Sequence, residues 1–338
     1  MKHKIKNILL TTFGVTTLAF TVSCGATATA TESTEVESQT EATTDTESES
    51  DNSETETEVG STAYEYTDAS GRTLSFEEAP ENVVVDYLPL WESALMLGVT
   101  PVGAGGADNY LGFWKPFDGL DLSGTVDIGQ KETNLEVVTT LSPDVILTQT
   151  NDLENPEVDG YDAIAPTAVF GNETKTNWRL SLREVGALLD LEEKAEEVIG
   201  EVDAILTEAR ANFDNQYQDE TIIMTSLMSG DKLYTVYRDD LYDKETGLGL
   251  NTPEGFTTET KYTELPLENL VGMNPDQIFI NVFPENTAHY EELQQNPLWQ
   301  SLDAVQNDNV YVIDGPGHSI SPMSTVYTIN FIIDKLSQ

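Results

Sequence analysis

The chain reads as an α/β protein of two similar halves set on either side of one long helix. Short apolar runs alternate with helical patterns before the middle of the chain and again after it. Between the two runs lies Leu191–Phe213, where Ala195, Val198, Ile199, Val202, Ile205, Leu206, Ala209 and Phe213 recur at steps of three and four and so share one helix face. Asp190 is placed to be its N-cap, with Glu193 reaching back as a capping box. At 1.5 Å per residue this helix spans about 34 Å, long enough to join two lobes. One acidic pattern occurring in both halves is the third observation.

In the first half, Asn82–Asp86 reads as a buried strand, followed by a helix over Leu90–Leu97 that stops at Gly98. Pro101–Ala104 is a short strand, Gly105–Gly119 an aromatic loop, and Leu135–Leu141 a helix stopped by Pro143. Asp144–Leu147 and Thr167–Phe170 are further strands, and Asn177–Leu189 a helix leading into the long one. The second half repeats the alternation. Thr221–Leu227 and Leu233–Tyr237 read as strands, then a turn-rich stretch, helix Leu267–Met273, strand Gln277–Val282, a helical run Tyr290–Ala304 broken at Pro297, strand Val310–Ile313 and helix Pro322–Leu336. Strands alternating with helices predict a mainly parallel sheet covered on both faces in each half.

The beginning of the chain predicts its location. Lys2, Lys4 and Lys6 precede an apolar run from Ile8 to Val22, which is too short for a stable span and has the form of an export signal over residues 1–23. Cys24, the single cysteine, follows at the position of a lipobox, so lipidation there would hold the protein on the outer face of the cytoplasmic membrane. Residues 24–62 are mostly Thr, Ser, Glu and Ala, with eleven acidic residues and no Lys or Arg from Ala26 on, a composition that predicts a disordered tether. The whole chain carries 16 basic residues against 60 acidic ones for a net charge of −44. That balance excludes nucleic-acid binding. The folded part is expected as an N-terminal lobe (63–176), an inter-lobe helical segment (177–213) and a C-terminal lobe (214–338).

The acidic pattern is the stretch Leu135-Glu136-Val137-Val138-Thr139-Thr140-Leu141-Ser142-Pro143-Asp144-Val145-Ile146, which aligns without gaps on Leu267-Glu268-Asn269-Leu270-Val271-Gly272-Met273-Asn274-Pro275-Asp276-Gln277-Ile278. Each copy has a Glu in the first turn of a helix, favoured by the helix dipole, and a Pro-Asp that ends the helix and starts a strand. Taken in order with PENVVV, LGVTPVGA, APTAVF, Trp178 and NPLWQSLDAVQNDNVYVID, the pattern resembles the siderophore and corrinoid branch of the metal-type ABC transporter substrate-binding proteins, over about Tyr64 to Gln338. The resemblance implies two Rossmann-like lobes joined by one rigid helix, a ligand cleft between them, and one acidic residue per lobe docking on a permease dimer driven by its ATPase. By motif match these acids are Glu136 and Glu268.

Ligands of open α/β sheets bind beyond the carboxyl ends of the strands. The loops there offer Tyr87, Trp91, Tyr110, Phe113, Trp114, Lys115, Tyr237, Arg238, Tyr242, Phe283 and His318 as candidates for a small-molecule metal chelate. Aromatic rings suit the flanks of an iron chelate or corrin, and Lys115 or Arg238 its chelating oxygens. Beyond the leader there are five arginines, eight lysines and two histidines, His289 and His318, too few histidines for a directly bound zinc or manganese ion. The low cation count favours a near-neutral ferric hydroxamate; a corrinoid or haem, with His318, Met228 or Met323 as axial ligand, is the alternative. No resident cofactor or metal is expected. An enzyme is the rival class, since Gly317-His318-Ser319-Ile320-Ser321 approaches a hydrolase nucleophile elbow, but no histidine follows Ser319 to complete a triad.

Overall fold

Two separate five-stranded sheets carry the fold, and every central strand is buried on both faces. The computed structural model describes residues 63–149, 156–228 and 232–337, all within one compact unit. The expected leader, Cys24 and residues 24–62 lie outside the described residues, apart from the boundary at Ala63.

A hairpin of β1 (Tyr64–Thr67) and β2 (Thr73–Phe76) precedes the first lobe. That lobe contains β3 (Val83–Val85), α1 (Leu88–Met96), β4 (Gly103–Ala104), α2 (Ala107–Tyr110), β5 (Val126–Asp127), α3 (Leu135–Leu141), β6 (Val145–Gln149), α4 (Pro156–Asp162) and β7 (Thr167–Phe170). Its strands are all parallel, in the order β5-β4-β3-β6-β7. Helices α5 (Trp178–Leu188) and α6 (Glu192–Gln216) then lead to the second lobe. It contains β8 (Ile222–Met228), β9 (Lys232–Val236), α7 (Asp239–Tyr242), β10 (Tyr262–Glu264), α8 (Leu267–Met273), β11 (Gln277–Val282), α9 (Thr287–Gln294), α10 (Pro297–Gln300), α11 (Asp303–Gln306), β12 (Val310–Ile313) and α12 (Pro322–Leu336). The order is β10-β9-β8-β11-β12, with β8, β11 and β12 parallel.

Two local departures from the sequence reading have physical causes. Only three residues separate β8 from β9, too few for a crossover, so the two pair as an antiparallel hairpin. Asp190 does not cap α6. It sits at φ 58° just past the end of α5, and the Leu191 N–H donates to Gly186 O at 2.8 Å, so Asp190 is the left-handed residue of a Schellman-type stop. The N-cap of α6 is Leu191, with no side-chain cap bond. The helix runs 25 residues, about 37 Å.

The repeated acidic pattern becomes a repeated piece of structure. α3 and α8 are seven residues each and end in Ser142 and Asn274, both left-handed. Asp144 Oδ2 then accepts the N–H groups of Glu81 and Asn82 at 3.0 and 2.8 Å, and Asp276 Oδ2 accepts the N–H and hydroxyl of Thr221, both at 2.8 Å. Each Asp ties the start of one central strand to the chain entering its neighbour. The Asp of the pattern is structural, and the Glu is left exposed in both copies.

Side-chain alternation along the strands divides the interior. Val84, Ile146, Ile223, Ile278 and Ile280 face two outer clusters, one per lobe. Their neighbours Val83, Val85, Val145, Leu147, Ile222, Met224 and Phe279 face a single cluster that also takes in α1, α5, α6 and α12. The lobes therefore share one core. Leu206 of α6 is fully buried in it, and Leu206→Ala should cost about 2–5 kcal/mol. Calorimetry should show one cooperative transition moved to lower temperature; two resolved transitions, only one of them shifted, would mean that the lobes fold separately.

Candidate functional site

The cleft face of the second lobe is built from the carboxyl ends of β8, β11 and β12. Asn281 Nδ2 donates to the carbonyls of Ile313 and Asp314, fixing its amide so that Oδ1 accepts from the Ser226 hydroxyl at 3.2 Å. With its proton spent there, Ser226 Oγ accepts from His318 Nδ1 at 3.2 Å, which places the ring proton on Nδ1 and the lone pair on Nε2. The imidazole stacks on Tyr262 with centroids 4.5 Å apart and meets Phe283 edge-on at 5.7 Å. Tyr262 donates its hydroxyl to His318 O at 2.9 Å, and the Lys261 ammonium lies over the Tyr262 ring at 4.9 Å. Burial, with Lys261 and Arg238 nearby, holds His318 down at about 4; burial and Arg238 bring Lys261 down to about 8.

The first lobe presents a similar pairing. Tyr87, the N-cap of α1, is exposed at the end of β3, and the Lys175 ammonium lies over its ring at 5.4 Å. Lys175 is lowered by burial, against the opposing pull of Asp86. Asp86 itself is anchored by Thr148 Oγ1 and the Gln149 N–H. Burial is the main cause that raises the pKa of the Tyr262 phenol, and each lobe thus carries one tyrosine with a lysine ammonium over its ring. Beside them Tyr110 packs edge-on against Trp114 at 5.4 Å, with Phe113 at 6.0 Å from Trp114. At the lobe junction the chain is glycine for steric reasons: a Cβ on Gly315 would lie 3.0 Å from the Phe283 ring and 3.7 Å from the Trp114 ring.

Tyr110, Phe283 and His318 are thus brought together around Trp114, which is itself buried with its indole donating to Glu92, and Tyr87 follows β3 in the same lobe as Tyr110 and Trp114. Other expected site residues are not. Trp91 is fully buried, packed on Phe117 at 4.6 Å beneath the aromatic cluster. Arg238, 1% exposed, is committed to Asp240 at 2.8 Å and to the carbonyls of Gly317 and Ser319, so it braces the His318 turn from behind. Tyr242 is buried with its oxygen accepting the Met224 N–H, and Tyr237 stacks on it at 5.8 Å. Lys115 points to solvent, paired with Asp118 at 3.5 Å. Each follows a strand, as the sequence places it, but Trp91 falls in α1 and Tyr242 in α7, and local packing turns the side chains inward or away. Lys175, Lys261 and Tyr262 were missed; their signal is only that two of the few lysines flank strand-end loops.

A second concavity, of about 220 Å³, lies between the start of α5 and α7, lined by Trp178, Arg179, Arg183, Asp239 and Thr246 among others. Its arginines are committed, Arg179 to Asp203 and Thr246 O, Arg183 to Glu196. Among the described residues no group of three or more His, Cys, Asp or Glu is placed to hold a metal ion, and no helix is long and apolar enough to cross a membrane.

A sequence profile of the periplasmic binding protein family matches residues 115–316, more than half of the chain. The chain belongs to the periplasmic binding protein family. Similar proteins include the iron-uptake system-binding protein of Bacillus subtilis (strain 168), 28% identical over 261 residues, which cover 73% of this chain and 79% of that one. The iron(3+)-hydroxamate-binding protein FhuD of the same organism is 25% identical over 288 residues, covering 82% and 88%. Among solved structures, Staphylococcus aureus SirA complexed with staphyloferrin B superposes with TM-score 0.66 at 23% identity, covering 81% of this chain and 98% of that one. A FhuD fold-family binding protein component of a Fep/Fec-like ferrichrome ABC transporter from Bacillus subtilis gives 0.66 at 24% identity, covering 81% and 100%. In this periplasmic binding protein the expected two-lobe architecture is accordingly the family's fold.

Because His318 takes up its proton only near pH 4 when folded but near 6.5 when unfolded, the unfolded chain binds more protons between those values. Stability should fall as pH drops from about 6.5 to 4, and His318→Gln should flatten that part of the curve. Denaturant midpoints measured at pH 7, 5.5 and 4.5 check this; an unchanged slope in the variant would show a solvated histidine.

Proposed function

We propose that this protein is the extracytoplasmic capture component of an ABC importer, anchored through Cys24, that binds an iron(III)–siderophore complex between its lobes and hands it to a permease dimer. The observation that carries the reading is a lysine-capped tyrosine on each lobe, Tyr87 with Lys175 and Tyr262 with Lys261. Phenol and aromatic faces cover the apolar flanks of a chelate, while the ammonium groups and the Tyr87 hydroxyl donate to its oxygens; the Tyr262 hydroxyl is spent on His318 O. The similarity to an iron-uptake system-binding protein, an iron(3+)-hydroxamate-binding protein and a probable siderophore-binding lipoprotein supports the same reading.

No chemistry on the ligand is required of this site. Ser319 Oγ bonds Ser321 Oγ at 2.7 Å, and His318 is engaged by Ser226 instead, so the stretch that approaches a hydrolase elbow is wired as a structural turn. The few cations favour a near-neutral ferric hydroxamate. A carboxylate chelate is the second reading, favoured by the convergence of two lysines.

The docking surface is assigned to Glu136 and Glu268. Both are exposed in the first turn of seven-residue helices that run back along the strands they precede, which puts both carboxylates toward the carboxyl edges of the sheets, where the cleft opens. Equivalent acids on two lobes suit a two-fold partner.

Tryptophan quenching against ferric hydroxamates, ferric citrate, ferric catecholates, haem and cobalamin tests the ligand class. Binding of an iron chelate is expected, with Lys261→Ala weakening a carboxylate chelate about tenfold and a neutral hydroxamate less; binding of cobalamin or haem alone would overturn the reading. Glu136→Ala with Glu268→Ala should abolish uptake by cells and leave affinity unchanged. Lost affinity in that double variant would move the acids into the cleft.

A further inference from the structure

Glu92 is a fully buried carboxylate that the reading above leaves without a task. It projects from α1 toward the N-terminus of α12, the 15-residue helix that follows the second sheet and packs back on α1 and α5. Four donors converge on it. Trp114 Nε1 donates to Oε1 at 2.7 Å, the Ser324 hydroxyl donates to Oε1 at 2.7 Å, the Ser324 N–H donates to Oε2 at 2.9 Å, and the Ser321 hydroxyl also bonds it. Burial pushes the Glu92 pKa up, and these four bonds pull against that push. No salt bridge to Glu92 occurs among the described residues.

The arrangement substitutes for an ordinary helix cap. Ser321 is the N-cap of α12 but makes no side-chain bond within its own helix, and Pro322 at the first position has no N–H to offer. The acceptor for the Ser324 N–H comes instead from α1, against which α12 packs, 232 residues earlier in the chain. The same carboxylate holds the Trp114 indole, whose ring packs between Tyr110 and Phe113 and against Gly315. The turn after Gly315 carries His318, and its carbonyls at Gly317 and Ser319 are gripped by Arg238. One side chain thus connects the aromatic wall of the first lobe to the helix that follows the His318 turn of the second.

We infer that Glu92 is a positioning residue for ligand capture, which sets Trp114 and the first turn of α12 in register so that the two cleft walls face each other at a fixed spacing. The inference rests on the inter-lobe site being the ligand site. It predicts that affinity, and not stability alone, depends on a residue that no ligand touches.

The test uses the full chain, with ferric desferrioxamine B and ferric citrate as probes and the four indole N–H resonances as a ligand-independent readout, Trp114 being assigned through Trp114→Phe. Glu92→Gln keeps the side chain's shape but turns an acceptor toward a donor clash. In it, the Trp114 indole N–H should shift and lose protection from exchange, and the affinity for whichever probe binds the wild type should fall about tenfold. In a Trp114→Phe background, Glu92→Gln should add much less. Ser324→Ala, which removes a single donor and leaves the carboxylate intact, should act in the same direction more weakly and serves if Glu92→Gln does not fold. Unchanged affinity in both variants, whether or not the melting temperature falls, would overturn the inference. A wild type that binds neither probe nor any other iron chelate would overturn the capture reading itself.

Discussion

The apolar layer shared by the two sheets is the constraint on which the rest of the molecule depends. Val85, Leu147 and Phe170 from one sheet, and Ile222, Met224 and Phe279 from the other, belong to a single buried cluster with residues of α1, α5, α6 and α12. Interiors packed in this way resist gradual deformation, because separating the layers removes dispersion contacts and exposes apolar area together. The lobes cannot hinge apart widely without opening that layer. A cleft bounded by such lobes is largely preformed, and its selectivity resides in side-chain chemistry more than in closure.

That chemistry is economical in charge. The chain has a net charge of −44, yet Lys175 and Lys261 each lie over a tyrosine ring, both lowered by burial. At physiological salt the field of distant surface acids is screened within about 8 Å, so short-range donors decide what is held. His318 is neutral at pH 7 and contributes an aromatic face and an acceptor nitrogen. The charged groups that look most suited to binding from their sequence positions serve the scaffold: Arg238 neutralises Asp240 in the interior and organises the turn that carries His318. A buried cation with its donors satisfied is a brace, and leaving any of its partners alone would cost more than the pair contributes.

The architecture was largely legible from the residues because its signals are local. Helices Leu135–Leu141, Leu267–Met273 and Pro322–Leu336 and strands Thr167–Phe170, Gln277–Val282 and Val310–Ile313 have the bounds that period and stop residues predict. The two-fold acidic pattern announced two equivalent lobes. Less legible were features set by contacts distant in the chain. Tyr262 directly follows the turn-rich stretch and becomes an edge strand only by pairing with β9, which sets Lys261 beside its ring. Trp91 and Trp114 look like loop aromatics on paper; both are buried, Trp91 against Phe117 and Trp114 through its indole bond to Glu92. Asp190 has the composition of a cap, but the Schellman-type stop of the preceding helix claims it first.

The spacing between the lobes tests this account most directly. With spin labels at Glu136→Cys and Glu268→Cys, one exposed site on each lobe, and Cys24→Ser to leave no other thiol, pulsed dipolar spectroscopy reports the inter-lobe distance without and with a diamagnetic gallium(III) chelate. A shared core predicts a distance that changes by less than about 3 Å on binding, with a narrow distribution in both states. A shift of about 10 Å or more, or two well-separated populations in the unliganded protein, would contradict it.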